Sequence, residues 1–294
     1  MLRMPPLDLF AAQETCMPAL PHLPPDGLTF LAGLSRDLRS GLAAEIRALW
    51  THHSTALEGN TLTLGDTAFV LSEGLTVSGK SLTDHQEVIG HARAIDLVYA
   101  IVDERRNVTA DDLHLMHRAV QTDVTVDAFS PVGRWKVEPN GTTALLTSGE
   151  TRWHDYAQSG DVPLLMESWL RLLHDARQRG AGDRLDAYTD LHLGFTTIHP
   201  YADGNGRMTR LLANVPVIEG GEPPILIPQE RRRDYLTLMG DWSIARGVPR
   251  PGEGLVPRNV QWSRLRAFFA EVSQPARDLV AAYRARQAAR GTAP

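Results

Sequence analysis

From Asp26 onward, apolar side chains recur at three- and four-residue steps, the period that places them on one face of a helix. Leu42, Ile46, Leu49, Trp50 and Leu57 form the first such stripe, and Gly59-Asn60 supplies a stop signal. A second helix is predicted over 85–103 from Val88, Ala92, Ile95, Tyr99 and Val102. A third, over 110–121, carries Leu113, Met116, His117 and Val120 inward. Asp161 and Pro163 open a helix that runs to about 179 with Leu165, Trp169, Leu172 and Leu173 buried. Another spans about 184–198 with Tyr188, Leu191, Phe195 and Ile198 on one face. A helix that starts near Arg207 meets Pro216, which should end or kink it. Helical stretches at 229–246 and 260–290 follow, separated by a Pro/Gly-rich segment at 247–257.

Two regions depart from this period. Pro5, Pro6, Pro18, Pro21, Pro24 and Pro25 predict an extended, irregular lead-in over 1–25. Between 130 and 150, Arg134-Trp135-Lys136-Val137 reads as extended and Pro139-Asn140-Gly141 as a turn, so a hairpin or flap is expected at 132–145. The fold class is therefore all-α, mainly helical, with one small β-hairpin. It divides into an N-terminal helical region (1–105), a central region (106–240) and a C-terminal helical extension (241–294).

Composition narrows the function. The 294 residues carry a formal charge of −5, with 43% apolar and 22% charged side chains, an ordinary mixture for a globular chain. A net negative chain has no global attraction to nucleic acid or to an anionic membrane, so neither is an expected partner. Cys16 is the only cysteine, which rules out an intramolecular disulfide and disfavours a cysteine-ligated zinc site. No apolar run approaches the roughly 20 residues that cross a bilayer, and Pro5, Pro6 and Asp8 interrupt any signal-type stretch. A cytoplasmic location is the default expectation.

The chemistry concentrates in His199-Pro200-Tyr201-Ala202-Asp203-Gly204-Asn205-Gly206-Arg207-Met208-Thr209-Arg210. A buried helix delivers the chain to a loop with a histidine, a carboxylate and two glycines, and a new helix follows with arginines at its first and fourth positions. Gly204 and Gly206 permit backbone conformations that gather N–H groups into one concavity, beside the partial positive charge of a helix start. That arrangement suits phosphate. Arg207 and Arg210 share a helix face, where each can fork onto phosphate oxygens. Asp203 is a hard oxygen ligand of the kind that holds Mg²⁺ together with substrate phosphates. His199 has the intrinsic pKa to take a proton from a hydroxyl near neutrality.

This segment resembles the signature of the Fic family, His-x-Phe-x-Asp/Glu-Gly-Asn-Gly-Arg-x-x-Arg, with Tyr201 in place of phenylalanine at a position expected to anchor the core. The similarity extends over roughly 45–240, including the flap, the 186–198 helix and Arg232-Arg233-Asp234-Tyr235-Leu236. The resemblance implies transfer of AMP from ATP to a Ser, Thr or Tyr hydroxyl of a target protein, and to the chain itself. His199 would be the general base, and Asp203 would hold Mg²⁺ between the α- and β-phosphates. Asn205 and the Gly204/Gly206 backbone would cradle the α-phosphate, with Arg207 on the β-phosphate and Arg210 on the γ-phosphate. Gly206 stands where the family's kinase-like branch has lysine, which favours nucleotidyl over γ-phosphoryl transfer. A strand edge at 134–138 (Arg134, Trp135, Lys136, Val137) would pair with an extended target segment.

Ser54-Thr55-Ala56-Leu57-Glu58-Gly59-Asn60 is the second signal. Thr55-x-x-Glu58 fits a capping box, but the apolar stripe precedes it, so Glu58 falls at a helix C-terminus, where a carboxylate opposes the helix dipole. The segment resembles the family's inhibitory motif, Ser/Thr-x-x-x-Glu-Gly/Asn, as found before the core in class II members. The resemblance pairs Glu58 with Arg210 and implies self-inhibition, because the γ-phosphate loses its partner. The same residues leave open the reverse reaction, another nucleotide donor, and a non-catalytic nucleotide-binding regulator. Whether two copies pair as a homodimer is also left open. Outside these motifs, His114 and His117 read as core rather than metal ligands, His52-His53 as incidental, Asp84-His85-Gln86-Glu87 as a helix cap, and Arg231-Arg232-Arg233 as a solvated helix face.

Overall fold

A computed structural model describes residues 27–122, 129–178 and 184–291. The proline-rich lead-in over 1–25, with Cys16, lies outside the described residues. Among the described residues the regular structure is helical apart from one antiparallel hairpin.

The first helix, α1 (Arg36–Ala56), buries Leu42, Ile46 and Trp50 on the stripe expected of it. A short helix that the apolar pattern did not announce, α2 (Leu64–Glu73), follows. It buries only Thr67 and Val70, so it has almost no stripe, and its boundaries are local: a reciprocal Thr63/Asp66 capping box at the start and left-handed Gly74 at the end. Helices α3 (Leu82–Glu104) and α4 (Ala110–Val120) begin at Ser81 and Thr109, whose hydroxyls accept from the backbone N–H of Asp84 and Asp112. They pack closely at Gly90, where an added methyl group would stand 2.3 Å from the Ala119 carbonyl oxygen. Overpacking of this kind costs about 1–3 kcal/mol, so Gly90→Ala should show a lowered Tm in thermal unfolding.

The hairpin comprises β1 (Gly141–Leu145) and β2 (Thr151–Asp155), in register from Gly141↔Asp155 to Leu145↔Thr151. Its turn is closed by Leu146 N–H to the Glu150 carbonyl (2.8 Å) and Gly149 N–H to the Leu146 carbonyl (2.9 Å). This corrects the expected position of the flap. Arg134–Val137 is irregular, and Pro139-Asn140-Gly141 leads into β1 instead of forming the turn. The reason is tertiary: the Lys136 N–H donates to the Pro200 carbonyl (2.8 Å), and Asn140 Nδ2 donates to the Tyr201 carbonyl (3.0 Å), so this stretch is committed to the 199–210 loop.

The remaining helices are α5 (Val162–Gln178), α6 (Arg184–Ile198), α7 (Asn205–Leu212), α8 (Val215–Glu219), α9 (Arg232–Arg246) and α10 (Val260–Gly291). Pro216 falls in the first turn of α8, so the helix after the loop breaks where its missing N–H requires. The break is held by Asn214, whose amide donates to the Arg210 and Ile225 carbonyls (2.9 and 3.1 Å) and accepts from Ile225 N–H (2.7 Å). One hydrophobic cluster runs through Leu42, Trp50, Ile95, Met116, Trp169, Phe195, Leu211, Trp242 and Phe269, so the three segments drawn on the sequence share a core. Among the described residues, no helix is long and apolar enough to cross a membrane.

Candidate active site

Almost every side chain of α6 is buried, so this helix fixes where the chain emerges at His199. His199 itself has φ 52°, a left-handed conformation that costs a non-glycine residue energy and is held by its surroundings. The holding is visible. Asn205 spans the loop like a strut, its Oδ1 accepting from Tyr201 N–H (2.9 Å) and its Nδ2 donating to the Tyr201 carbonyl (2.8 Å). Its amide thus braces the loop, with one N–H left uncommitted by these two bonds.

Tyr201 is fully buried, as expected of a core anchor, and stacks on His117 with ring centres 3.8 Å apart. Its hydroxyl lies 3.2 Å from His114 Nδ1. His117 Nδ1 accepts from Gly133 N–H (2.9 Å), so the proton sits on Nε2 and is donated to the Asp203 carbonyl (3.0 Å). Both histidines therefore serve the core, as the sequence indicated. Tyr201→Phe removes one neutral hydrogen bond, worth about 1 kcal/mol. It should lower stability by that amount in urea unfolding and leave ligand binding unchanged.

The His199 ring stacks on Tyr156, just past β2, with centres 3.7 Å apart and planes within 5°. Burial, reinforced by the nearby Lys136 ammonium, pulls its pKa down to about 3. Burial also lowers Lys136 to about 8. Lys136 Nζ donates to Asn140 Oδ1 (2.5 Å) and approaches the Ile198 carbonyl at 3.5 Å. Of the expected docking residues, Lys136 is buried against the loop, Trp135 is half-buried, and Arg134 and Val137 are exposed.

Helix α7 starts at Asn205, earlier than the arginine pattern implied, so Arg207 and Arg210 stand at its third and sixth positions. Of the two loop glycines, Gly204 uses left-handed backbone (φ 75°) and Gly206 does not. Gly206 is helical and matters for the space it leaves, since a Cβ there would meet Glu58 Oε1 at 2.3 Å. Asp203 is well exposed; Gln121 Nε2 (2.8 Å) and Arg207 Nη2 (3.3 Å) both donate to its Oδ2. Against a cost of partial desolvation where it faces the loop, the Gln121 amide, the Gly204 N–H and the Arg207 charge hold the carboxyl below its usual value.

Arg210 is 4% exposed and is surrounded by acceptors. Nε donates to Ser54 Oγ (3.0 Å), and Nη2 donates to the Ser54 carbonyl (2.8 Å) and Glu58 Oε1 (2.6 Å). Burial disfavours its charge, yet Glu58 and the Tyr235 hydroxyl more than compensate and raise its pKa. Tyr235 in turn lies 3.0 Å from His192 Nε2. The ion pair joins residues 152 apart in the chain, from the end of α1 to the middle of α7.

Three residues beside this site carry no motif chemistry. Tyr235 was noted only within a similar-looking stretch. Arg232 is exposed, as a solvated helix face implies, and in addition its Nε donates to the Leu57 carbonyl (2.8 Å), capping the end of α1 beside Glu58. Glu87, read as part of a cap, approaches Arg207 Nη1 at 3.6 Å. Of the rest of that run, Arg233 is exposed and Arg231 is half-buried, pairing with Asp234 and Glu271.

As a metal site the donor set is sparse: among the described residues no three His, Cys, Asp or Glu side chains converge. Asp203 alone fits Mg²⁺ that arrives with phosphates, because that ion uses one or two carboxylates and fills its shell from the nucleotide and water.

Comparison with known proteins agrees with this geometry. Residues 107–217 match the Fic/DOC family. The chain is 32% identical over 187 residues to the protein adenylyltransferase Fic of Drosophila grimshawi, covering 63% of this chain and 35% of that protein. It is 31% identical over 189 residues to the protein adenylyltransferase fic-1 of Caenorhabditis briggsae, covering 64% and 35%. The chain thus spans about a third of the length of these curated relatives. Among solved structures, a Fic domain containing signaling protein from Bacteroides thetaiotaomicron superposes with a TM-score of 0.69 at 25% identity, over 87% of this chain and 94% of that one. Fic-1 from C. elegans shares the fold with a TM-score of 0.64 at 24% identity, over 90% and 70%. This chain contains a Fic domain, with the 199–210 loop inside the matched segment.

Proposed function

We propose that this chain is a self-inhibited protein adenylyltransferase that moves AMP from ATP to a Ser, Thr or Tyr hydroxyl of a target protein, acting in the cytoplasm. The observation that carries the reading is the 2.6 Å contact between Glu58 and buried Arg210, an internal carboxylate on the cation assigned to the γ-phosphate.

The target hydroxyl oxygen forms a bond to the α-phosphorus while the bond from that phosphorus to the bridging oxygen breaks, and pyrophosphate leaves. The hydroxyl proton passes to His199, which is neutral because burial favours its uncharged form. Stacking on Tyr156 fixes the ring plane, so the base is oriented before substrate arrives. Asp203 would hold Mg²⁺, whose charge offsets that of the phosphates. Arg207 and Arg210 take the β- and γ-phosphates by charge-assisted hydrogen bonds. With Glu58 on Arg210, ATP binds without that last anchor, and its α-phosphorus is not aligned for attack. The hairpin is the surface proposed for target docking. Lys136 and Asn140 tie the segment leading into it to the 199–210 loop, and Tyr156 ties its far end to His199.

A test follows from the histidine. A base titrating near 6.5 would lose activity about tenfold per pH unit below that value. With its pKa held at about 3, His199 stays able to accept a proton throughout the ordinary range. The rate of Glu58→Gly protein should therefore show no histidine-type fall from pH 8 to pH 5 in a pH–rate profile.

The reverse reaction, removal of AMP from a modified protein, is the second reading. It draws on the 41% exposure of the Glu58 side chain, which can face water while paired. AMP released from a pre-modified target by wild type, and lost in Glu58→Ala, would select it.

A further inference from the structure

We propose that Glu87 is a positioning residue for Arg207 and that Asn60 sets Glu87 in turn. The turn after α1 then restrains one phosphate-binding arginine through Glu58 and supports the other through Asn60. The inference rests on the reading above, in which Arg207 takes the β-phosphate.

Arg207 is 5% exposed and is gripped at both ends of its fork. Nη2 reaches Asp203 Oδ2 at 3.3 Å, while Nη1 lies between Glu87 Oε1 (3.6 Å) and the Val120 carbonyl (3.4 Å). Nε is buried and has no partner among the described residues. The guanidinium is therefore held in plane with N–H donors left over, and a pre-organised fork loses less freedom when it takes an anion.

Glu87 is itself held. Its other oxygen, Oε2, accepts from Asn60 Nδ2 at 2.9 Å. The same amide donates to the Asp84 carbonyl (3.0 Å), Asn60 Oδ1 accepts from Leu62 N–H (3.0 Å), and Asn60 N–H reaches the Thr55 carbonyl (3.2 Å). Asn60 is thus locked between the end of α1 and the start of α3, two residues beyond Glu58.

Glu87 differs from Glu58 in kind. Glu58 makes a short direct contact and extends from a turn that follows α1, so it can swing aside for a phosphate. Glu87 stands at longer range, is anchored within a helix and shares its arginine nitrogen with a carbonyl. It stays in place when the guanidinium takes its anion.

The test is isothermal titration of Glu58→Gly protein, alone and with Glu87→Gln, against AMP and ADP. Loss of the ion pair should weaken ADP binding about five- to tenfold, and AMP binding by less than about twofold, because AMP lacks the β-phosphate. Asn60→Ala in the same background should shift ADP in the same direction by a smaller factor, giving a second route if either variant folds poorly. Equal weakening of AMP and ADP would reduce Glu87 to a structural role. Tighter ADP binding would make it a rival anion. Either overturns the proposal. If Glu58→Gly protein binds ADP no better than AMP, the assignment of Arg207 to the β-phosphate fails, and the proposal fails with it.

Discussion

Glu58→Gly should incorporate about 10- to 100-fold more label from α-labelled ATP than wild type, into itself or an added target. A charge-assisted hydrogen bond in a buried setting is worth about 1.5–3 kcal/mol, which is a factor of that size in rate if it aligns only the reactive pose. The substitution also exposes a cost. Arg210 keeps Ser54 and Tyr235 but loses its counter-ion at 4% exposure, so the ligand-free variant should be less stable by about 2 kcal/mol. ATP supplies the missing anion, so it should raise the Tm of the variant more than that of wild type. Equal labelling of both proteins would remove the brake.

Adding His199→Ala to Glu58→Gly should reduce label transfer to background. A positioned general base contributes about 10²–10⁴-fold, and here the alternative acceptors are poor. Lys136 sits beside the ring with its ammonium spent on Asn140 and the Ile198 carbonyl, and His154 and Tyr156 are hairpin side chains lowered and raised in pKa, respectively, by burial. ADP titration should show binding within about twofold of the parent, since the phosphate ligands are other residues. Retained transfer would mean that the proton leaves by another path. Loss of ADP binding would mean that the ring holds the loop instead of the proton.

The helical architecture was legible because α1, α3, α4 and α5 each bury one stripe against a common core. Helix α2 was not, because its two buried residues leave no periodic trace and its limits are set by a cap and a glycine. The hairpin was recognised but placed too early. Arg134–Val137 has strand-like composition, yet its hydrogen bonds go to a loop more than 60 residues later, which no local pattern records. At the site, His199, Asp203, Arg207 and Arg210 were legible as chemistry, and Glu58 through its misfit at a helix end. The bracing part of Asn205 was not legible, because its partners lie on the backbone of Tyr201 and only the folded loop brings them together. Arg232, Glu87 and Tyr235 were missed as site residues since their parts depend on approach across elements distant in sequence.

Helix α1 contributes Leu42, Ile46 and Trp50 to the same cluster that holds α6 and α7. Swinging it away would strip apolar surface from the whole fold. On the proposed self-inhibition, what separates the restrained from the unrestrained state is then a rotation of the Glu58 side chain just past a fixed helix. Such turns occur in picoseconds to nanoseconds, whereas hinge movements take microseconds or longer. Under that proposal a stimulus would act by contact at that tip, where Arg232 and Gly59 flank the carboxylate, and the response should follow occupancy without measurable delay.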